Sequence, residues 1–130
     1  MDVGCGSGIL AIAALKKGAV VDACDTDPLS VENAIVNAAQ NDISYRRLWE
    51  GPINETDEKY DVIIANIVAD ILVFIASDLR KRSNAGGVLI LSGIMDKYEE
   101  KVLRAYKTFE LTERFVENEW VTLVVTNKGN

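Results

Sequence analysis

Short, largely apolar runs alternate along the chain with longer segments in which apolar residues recur at helical spacing. Apolar runs of this kind are typical of strands that are covered on both faces. Runs of this kind lie at 19–24, 60–65 and 88–91, and the predicted strands are 19–24, 44–49, 60–65 and 88–92. The predicted helices lie at 7–17, 27–40, 67–82 and 96–106. Strands that alternate with helices in this order indicate an α/β fold of the Rossmann-like, doubly wound type, with a mostly parallel sheet.

The two ends of the chain add to this pattern. Residues 109–117 and 120–126 alternate well enough to predict a C-terminal antiparallel hairpin. At the other end, only three residues precede Gly4, although a glycine-rich turn normally follows a complete strand. We therefore expect a single domain over 1–130 whose first strand is largely missing. Either the chain is a fragment or its numbering begins partway through a longer protein.

The composition excludes several classes of function. The chain has 130 residues, of which 48% are hydrophobic, enough for the core of one domain. It has no histidine, which excludes Ser-His-Asp triads, Cys-His dyads and histidine metal ligands, and its dispersed carboxylates predict no metal site. The formal net charge of −6 argues against direct binding of nucleic acid. No apolar run is long enough to span a membrane, and two cysteines without a visible signal peptide favour the cytoplasm.

The strongest chemical signal is the run Asp-Val-Gly-Cys-Gly-Ser-Gly at 2–8. Gly4, Gly6 and Gly8 allow the backbone to pass close to a ligand and then turn into a helix. Two of these glycines, followed by Ala11, would also satisfy a dinucleotide-binding fingerprint. Asp2 argues against that interpretation, because a carboxylate at the entrance of the turn repels a pyrophosphate. It suits a cationic ligand, such as the ammonium group of an amino-acid moiety.

Polar residues follow several of the predicted strands, where ligands of doubly wound sheets bind. Asp25 follows the strand at 19–24 and can accept both hydroxyls of a ribose, with Asp27 as a competitor that is better placed to cap a helix. After the strand at 44–49, Trp49 could lie along an adenine ring or Glu50 could accept its amino group. An ordinary strand end with a core tryptophan is an equally weighted alternative.

Asn66 ends the apolar strand at 60–65 and is therefore expected at the ligand edge. Its amide oxygen can accept an N–H from an incoming amine and so orient the lone pair of that amine. A structural role as the cap of the next helix is the alternative, and the two roles can coexist.

The glycine run resembles the first motif of class I S-adenosylmethionine-dependent methyltransferases. Further pieces, in one order and at suitable spacing, resemble the catalytic domain of the PrmA family, bacterial enzymes that methylate ribosomal protein L11. The resemblance covers nearly the whole chain. Its other pieces are Asp25-Thr26-Asp27-Pro28, Glu50-Gly51, Ala65-Asn66-Ile67, Leu91-Ser92-Gly93-Ile94 and Glu119-Trp120-Val121.

The resemblance implies a specific activity. It implies S-adenosyl-L-methionine as cofactor and methyl transfer to lysine or N-terminal amines of a ribosomal protein, with Asn66 as the catalytic residue. It also implies an N-terminal substrate-recognition domain, which this chain lacks. The cofactor-binding residues that it implies are Asp2, Gly4, Gly6, Gly8, Asp25, Thr26, Glu50 and Asn66.

Alternatives remain at this level. One is an RNA methyltransferase on the same fold, although Asn66 is followed by Ile-Val-Ala and not by the Pro-Pro-Tyr of many nucleobase enzymes. A nicotinamide oxidoreductase and an inactive, truncated cofactor-binding remnant are two others.

Two expectations concern packing. Trp120 and Val121 should lie in the core at the sheet edge, and Asp22 should lie on an edge or a solvent-facing patch.

Overall fold

The computed structural model describes residues 1–129 of the chain. Its contacts group into two compact units, the first from Met1 to Glu55 and the second from Thr56 onward. Each unit has its own strands and helices. That the whole chain forms one domain stays a prediction.

The first unit contains three parallel strands in the order β3-β2-β1. They are β1 (Asp2–Val3), β2 (Asp22–Asp25) and β3 (Arg47–Glu50). The helices are α1 (Ile9–Lys16) and α2 (Pro28–Gln40), and a short 3-10 turn follows at Ile53–Glu55. The strands and helices predicted here are confirmed, with later strand starts and a shorter α1.

Local chemistry explains where α2 begins. The Asp27 side chain accepts a hydrogen bond from the Leu29 N–H at 3.0 Å, and Pro28 is the first helical residue. The predicted N-cap is therefore confirmed. Small residues on the inner face of this helix, Ala34 and Ala38, are buried, which allows the helix to lie close to its neighbours.

The prediction for Asp22 is wrong. Its residue exposure is 1%, so it lies inside the unit and not at an edge or on a solvent-facing patch. The Arg46 guanidinium pairs with it, and Arg46 Nε lies 2.8 Å from Asp22 Oδ1. A buried carboxylate is tolerated when a cation and hydrogen bonds compensate for the lost water, and here a residue 24 positions away supplies both.

The second unit contains four strands in the order β4-β5-β7-β6. They are β4 (Tyr60–Asn66), β5 (Ser83–Met95), β6 (Phe109–Glu117) and β7 (Trp120–Asn127). β4 and β5 are parallel, whereas β7 is antiparallel to both β5 and β6. The predicted C-terminal hairpin is thus confirmed. The helices are α3 (Ala69–Phe74), α4 (Ala76–Lys81) and α5 (Glu99–Ala105), with a 3-10 turn at Asp96–Tyr98.

The helix predicted at 67–82 is two shorter helices separated at Ile75. The Tyr106 hydroxyl donates to the Leu72 carbonyl oxygen at 2.7 Å, one turn before the break. A side chain that hydrogen-bonds into the i→i−4 ladder is a common cause of such breaks. Tyr106 lies 34 residues further along the chain, so the helical pattern alone could not reveal it.

Residues 84–87 (Asn-Ala-Gly-Gly), which lie between the predicted helix at 67–82 and the predicted strand at 88–92, belong to β5. Ser83 pairs with Tyr60 and Val88 pairs with Val62, so residues 84–87 bulge out opposite the single residue Asp61. Past the bulge the strand is covered as predicted, and Leu89 and Leu91 are fully buried. None of the helices among residues 1–129 is long and apolar enough to cross a membrane.

Candidate functional site

The glycine run forms a tight turn that wraps around the end of β2. The N–H groups of Gly4 and Cys5 both donate to the Cys24 carbonyl oxygen, at 2.9 and 3.0 Å. Gly4, Gly6 and Gly8 all have positive φ, of 69°, 56° and 85°. The turn therefore has the backbone conformation that favours glycine, as the sequence predicts.

Gly6 and Gly8 of the turn meet different surroundings. A Cβ on Gly8 would lie 2.3 Å from the Tyr45 hydroxyl oxygen and 3.3 Å from the Cβ of Ala34, so Gly8 is needed for packing. A Cβ on Gly6 would meet nothing within 4 Å. The space at Gly6 is open within this unit, which is the condition for close approach by a ligand.

Asp2 lies under this turn and is only 3% exposed. The Ala11 N–H hydrogen-bonds to its carboxylate, in the first turn of α1, where the N-cap Gly8 offers no side chain. Among the described residues, Asp2 Oδ2 has no hydrogen-bond partner. Burial raises the pKa of Asp2 to about 6, because a carboxylate without water is costly. A buried acceptor without a partner fits a ligand that donates to it, such as an ammonium group.

Asp25 holds the glycine turn to the end of β2. The Gly6 N–H donates to Asp25 Oδ2 and the Asp27 N–H donates to Asp25 Oδ1, both at 2.9 Å. Each carboxylate oxygen can accept a second hydrogen bond. Asp25 can therefore fix the turn and still accept ribose hydroxyls, whereas Asp27 is engaged as the cap of α2.

The other predicted residues of the first unit lie at exposed positions. Thr26 is exposed between β2 and α2, and Glu50 is exposed at the end of β3. Trp49 is half-buried, its indole N–H donates to the Pro52 carbonyl oxygen at 3.0 Å, and the Arg47 guanidinium lies over its ring. The contacts of Trp49 are therefore local.

Two residues that hold the glycine turn in place were not predicted from the sequence. The Asn37 side-chain amide donates to the Ser7 carbonyl oxygen at 2.9 Å, and the Tyr45 hydroxyl packs against Gly8. Both contacts join residues 30 or more positions apart. The only signal in the sequence is that both side chains are polar in segments that fold against the turn, which is too weak to single them out.

Asn66 belongs to the second unit, at the end of β4, where its residue is exposed as predicted. Its amide oxygen lies beside Gly93, because a Cβ on Gly93 would fall 2.8 Å from Asn66 Oδ1. The Ile67 N–H donates to the Ser92 carbonyl oxygen at 3.2 Å, which ties the ends of β4 and β5 together. No side-chain hydrogen bond engages Asn66 within residues 1–129, so its amide is available to a ligand. The helix-cap alternative is not what is seen, since Val68 precedes α3.

The two cysteines add no chemistry to the turn. Cys5 and Cys24 are both buried and free. Burial raises the pKa of both thiols to about 12, so they are neutral near pH 7. In the part of the chain that the structure describes, no three His, Cys, Asp or Glu side chains cluster closely enough to hold a metal ion.

Comparison with known proteins assigns the chain to a family. The profile of the family described as "Ribosomal protein L11 methyltransferase (PrmA)" matches residues 1–128. The chain belongs to the PrmA family. Members of the PrmA family are S-adenosylmethionine-dependent methyltransferases, as the sequence resemblance implies.

Curated relatives and a solved structure agree with this assignment. The ribosomal protein L11 methyltransferase of Nitratiruptor sp. is 50% identical over 98% of the chain and 45% of its own length. That of Campylobacter concisus is 44% identical over 95% of the chain and 45% of its own length. The chain thus spans about half the length of the curated PrmA relatives it matches.

The crystal structure of a ribosomal protein L11 methylase from Lactobacillus delbrueckii subsp. bulgaricus has a TM-score of 0.94 to this chain. It is 37% identical, and the match covers 98% of the chain and 69% of that protein. The predicted fold class, a Rossmann-like, mostly parallel α/β sheet with an antiparallel C-terminal hairpin, is therefore confirmed.

Proposed function

We propose that the protein containing this chain transfers methyl groups from S-adenosyl-L-methionine to lysine or N-terminal amines of a ribosomal protein, and that this substrate is ribosomal protein L11. Membership of the PrmA family and the names of the relatives support the proposal. The single observation that carries it is the buried Asp2 oxygen without a partner beneath an open glycine turn. It suits the ammonium group at the amino-acid end of this cofactor and disfavours a pyrophosphate.

The residues of the first unit would hold the cofactor. When bound, S-adenosyl-L-methionine supplies a methyl group that is already activated on a sulfonium. Asp2 would accept from the ammonium group, and the backbone at Gly4, Gly6 and Gly8 would allow close approach. Asp25 would accept from the ribose hydroxyls, Thr26 would contact the cofactor next to it, and Glu50 would accept from the adenine amino group.

Asn66 would orient the acceptor amine. Its amide oxygen would accept an N–H of the amine and so orient the nitrogen lone pair for methyl transfer. Because the reaction needs a neutral amine and not a strong base, a histidine is not required. Water can take the proton, and orientation alone can lower the barrier by roughly 7–11 kcal/mol in favourable cases.

Two measurements on the full-length protein test this function. Calorimetric titration with S-adenosyl-L-methionine, S-adenosylhomocysteine and NAD should give binding to the first two and none to NAD. Incubation with labelled cofactor should then place the label on ribosomal protein L11. Label on ribosomal RNA would favour the RNA methyltransferase, and absence of binding to all three ligands would favour an inactive remnant.

A further inference from the structure

A small pocket in the second unit lies next to Asn66 and has no role in the function described so far. Its volume is about 140 Å³. We name it the Trp120 pocket and define it by Val68, Asp70, Gly93, Met95, Tyr98 and Trp120. Gly93 is the wall that it shares with Asn66, whose Oδ1 lies 2.8 Å from the position of a Cβ on Gly93.

A β-bulge builds this pocket. Leu91 pairs with Leu123 and Ile94 pairs with Val121, so Ser92 and Gly93 together face the single residue Thr122. A bulge adds twist and redirects the side chains that follow it. Beyond it, Met95 and Trp120 are direct cross-strand partners, which places their side chains on one face.

Trp120 does not lie in the core, so the prediction that paired it with Val121 is half wrong. Val121 is 1% exposed, as expected, but Trp120 is 49% exposed. Val68 and Tyr98 of the same pocket are also exposed, at 63% and 39%. An indole, a thioether and an aliphatic side chain thus line an open pocket beside a polar amide.

The size of the pocket limits what it can receive. An engineered protein cavity of about 150 Å³ takes one benzene molecule, so 140 Å³ suits one side chain and is too small for an adenosyl group. Two lysines lie over Tyr98 at the rim, with Nζ of Lys97 and of Lys101 at 5.1 and 4.8 Å from the ring centroid. Asp70 at this rim is already paired with Lys101.

We propose that the Trp120 pocket receives the aliphatic stem of a lysine side chain of the protein substrate and delivers its neutral amine to Asn66. This rests on the proposed function. A lysine stem matches the apolar lining, and its terminal nitrogen supplies the N–H that the Asn66 oxygen accepts. Desolvation in the pocket favours the neutral form of an amine, which is the nucleophilic form. Trp120 is then a specificity-determining residue.

A kinetic test uses the full-length protein with ribosomal protein L11 as substrate. Trp120→Ala should raise the KM for the protein substrate about tenfold and leave the Kd of S-adenosyl-L-methionine within about twofold. Trp120→Phe should bring the KM most of the way back to the wild-type value, which would show that the aromatic contact and not a folding defect causes the change. Phe115→Ala is the matched control, because Phe115 is a similarly exposed aromatic residue of the neighbouring strand β6, and it should leave both constants unchanged.

A second test does not depend on turnover. The chain has two tryptophans, Trp49 and Trp120, whose indole N–H signals can be assigned in an NMR spectrum with Trp120→Phe. Titration with n-butylamine, which carries the stem and the amine, should shift the Trp120 signal and leave that of Trp49 in place. Ethylamine, with half the stem, should shift it less.

The outcomes separate the two proposals. An unmoved Trp120 signal, or a Trp120→Ala variant with normal KM and weakened cofactor binding, would overturn the pocket assignment while the methyltransferase function stands. Equal turnover on substrate whose lysines are acetylated would also overturn it, in favour of the N-terminal amine. If the wild-type protein transfers no methyl group at all, the proposed function fails, and the butylamine titration still decides the pocket.

Discussion

The two units present their candidate site residues in opposite ways. In the first unit, Asp2 is buried and both oxygens of Asp25 already accept backbone N–H groups. In the second unit, Asn66 is exposed, and no side-chain hydrogen bond holds it among the residues described. The side chains of the first unit are already held in place, so the protein loses little conformational entropy when a ligand binds there. The second unit presents an open site, which a side chain from another protein can enter.

The glycines show the same contrast. Gly8 is enclosed by Tyr45 and Ala34, whereas Gly93 lies against Asn66, the residue proposed to act on the substrate. Substitution of Gly8 should therefore act on stability, and changes around Gly93 should act on turnover.

Gly8→Ala should be the most damaging change in the first unit. The φ of 85° strains an L-residue, and the new Cβ would lie 2.3 Å from the Tyr45 hydroxyl oxygen. Together, strain and overpacking should lower the free energy of unfolding by about 2–5 kcal/mol, measured in urea.

Gly6→Ala is the matched control for this change. Its φ is also positive, but its Cβ would meet open space, so we expect a loss of only about 1–2 kcal/mol. Addition of Tyr45→Phe should recover part of the stability lost in Gly8→Ala and none in Gly6→Ala. Equal losses for the two glycines would show that the contact with Tyr45 is unimportant.

Asn66→Ala tests the open unit. Loss of the oriented amide should lower kcat about a hundredfold, because small errors in the position of the amine are costly. The free energy of unfolding and the Kd of S-adenosyl-L-methionine should change little, since no side-chain contact within the described residues is removed. Gly93→Ala, whose Cβ would displace Asn66 Oδ1, should reproduce part of the kcat loss. Normal turnover in Asn66→Ala would remove Asn66 from the mechanism.

In both units, a feature could be predicted from the sequence when local contacts determine it. Features set by local chemistry were predictable, such as the Asp27 cap of α2 and the positive φ of the three glycines. The exposure of Asn66 was predictable for a similar reason, because a polar side chain at the end of an apolar strand is unfavourable in the core and therefore lies at the surface.

Features set by distant contacts were not predictable. The pairing of Asp22 with Arg46 depends on the register between β2 and β3, and the break at Ile75 coincides with a hydrogen bond from Tyr106. The exposure of Trp120 follows a bulge that shifts the strand by one residue, which no alternation of apolar residues reveals. In each case the deciding partner is far away in the sequence.

Asp25→Ala tests how preorganised the first unit is. The Gly6 and Asp27 N–H groups would lose their acceptor, which should lower the free energy of unfolding by about 1–3 kcal/mol. Ribose would lose its acceptor too, so we expect the Kd of S-adenosyl-L-methionine to rise about tenfold or more in calorimetry. Asp27→Ala is the control, with a loss of about 1 kcal/mol from the cap and an unchanged Kd. The reverse pattern in Kd would assign the ribose to Asp27.

The smallest expected effect is a pH dependence of cofactor affinity that comes from Asp2. Burial is the main cause that raises the pKa of Asp2 to about 6; the Met1 amino group and the Ala11 N–H oppose it, and Asp25 adds to it. Only the ionised carboxylate pairs with an ammonium group, so affinity should weaken as the pH falls through 6. At pH 5 the Kd should be about tenfold higher than at pH 7.5, by calorimetry. Asp2→Asn should bind weakly at both values.

Stability of the free protein should move in the opposite direction, which separates binding from unfolding. Because the pKa of Asp2 is raised in the folded state, the folded protein holds this proton more tightly than the unfolded chain between about pH 4 and 6. The contribution of Asp2 to the free energy of unfolding therefore increases as the pH falls through that window and is lost as the pH rises through 6. Urea unfolding of the wild type and Asp2→Asn at pH 5 and 7.5 measures it. If affinity and stability fell together at pH 5, local unfolding and not protonation of Asp2 would explain the loss of binding.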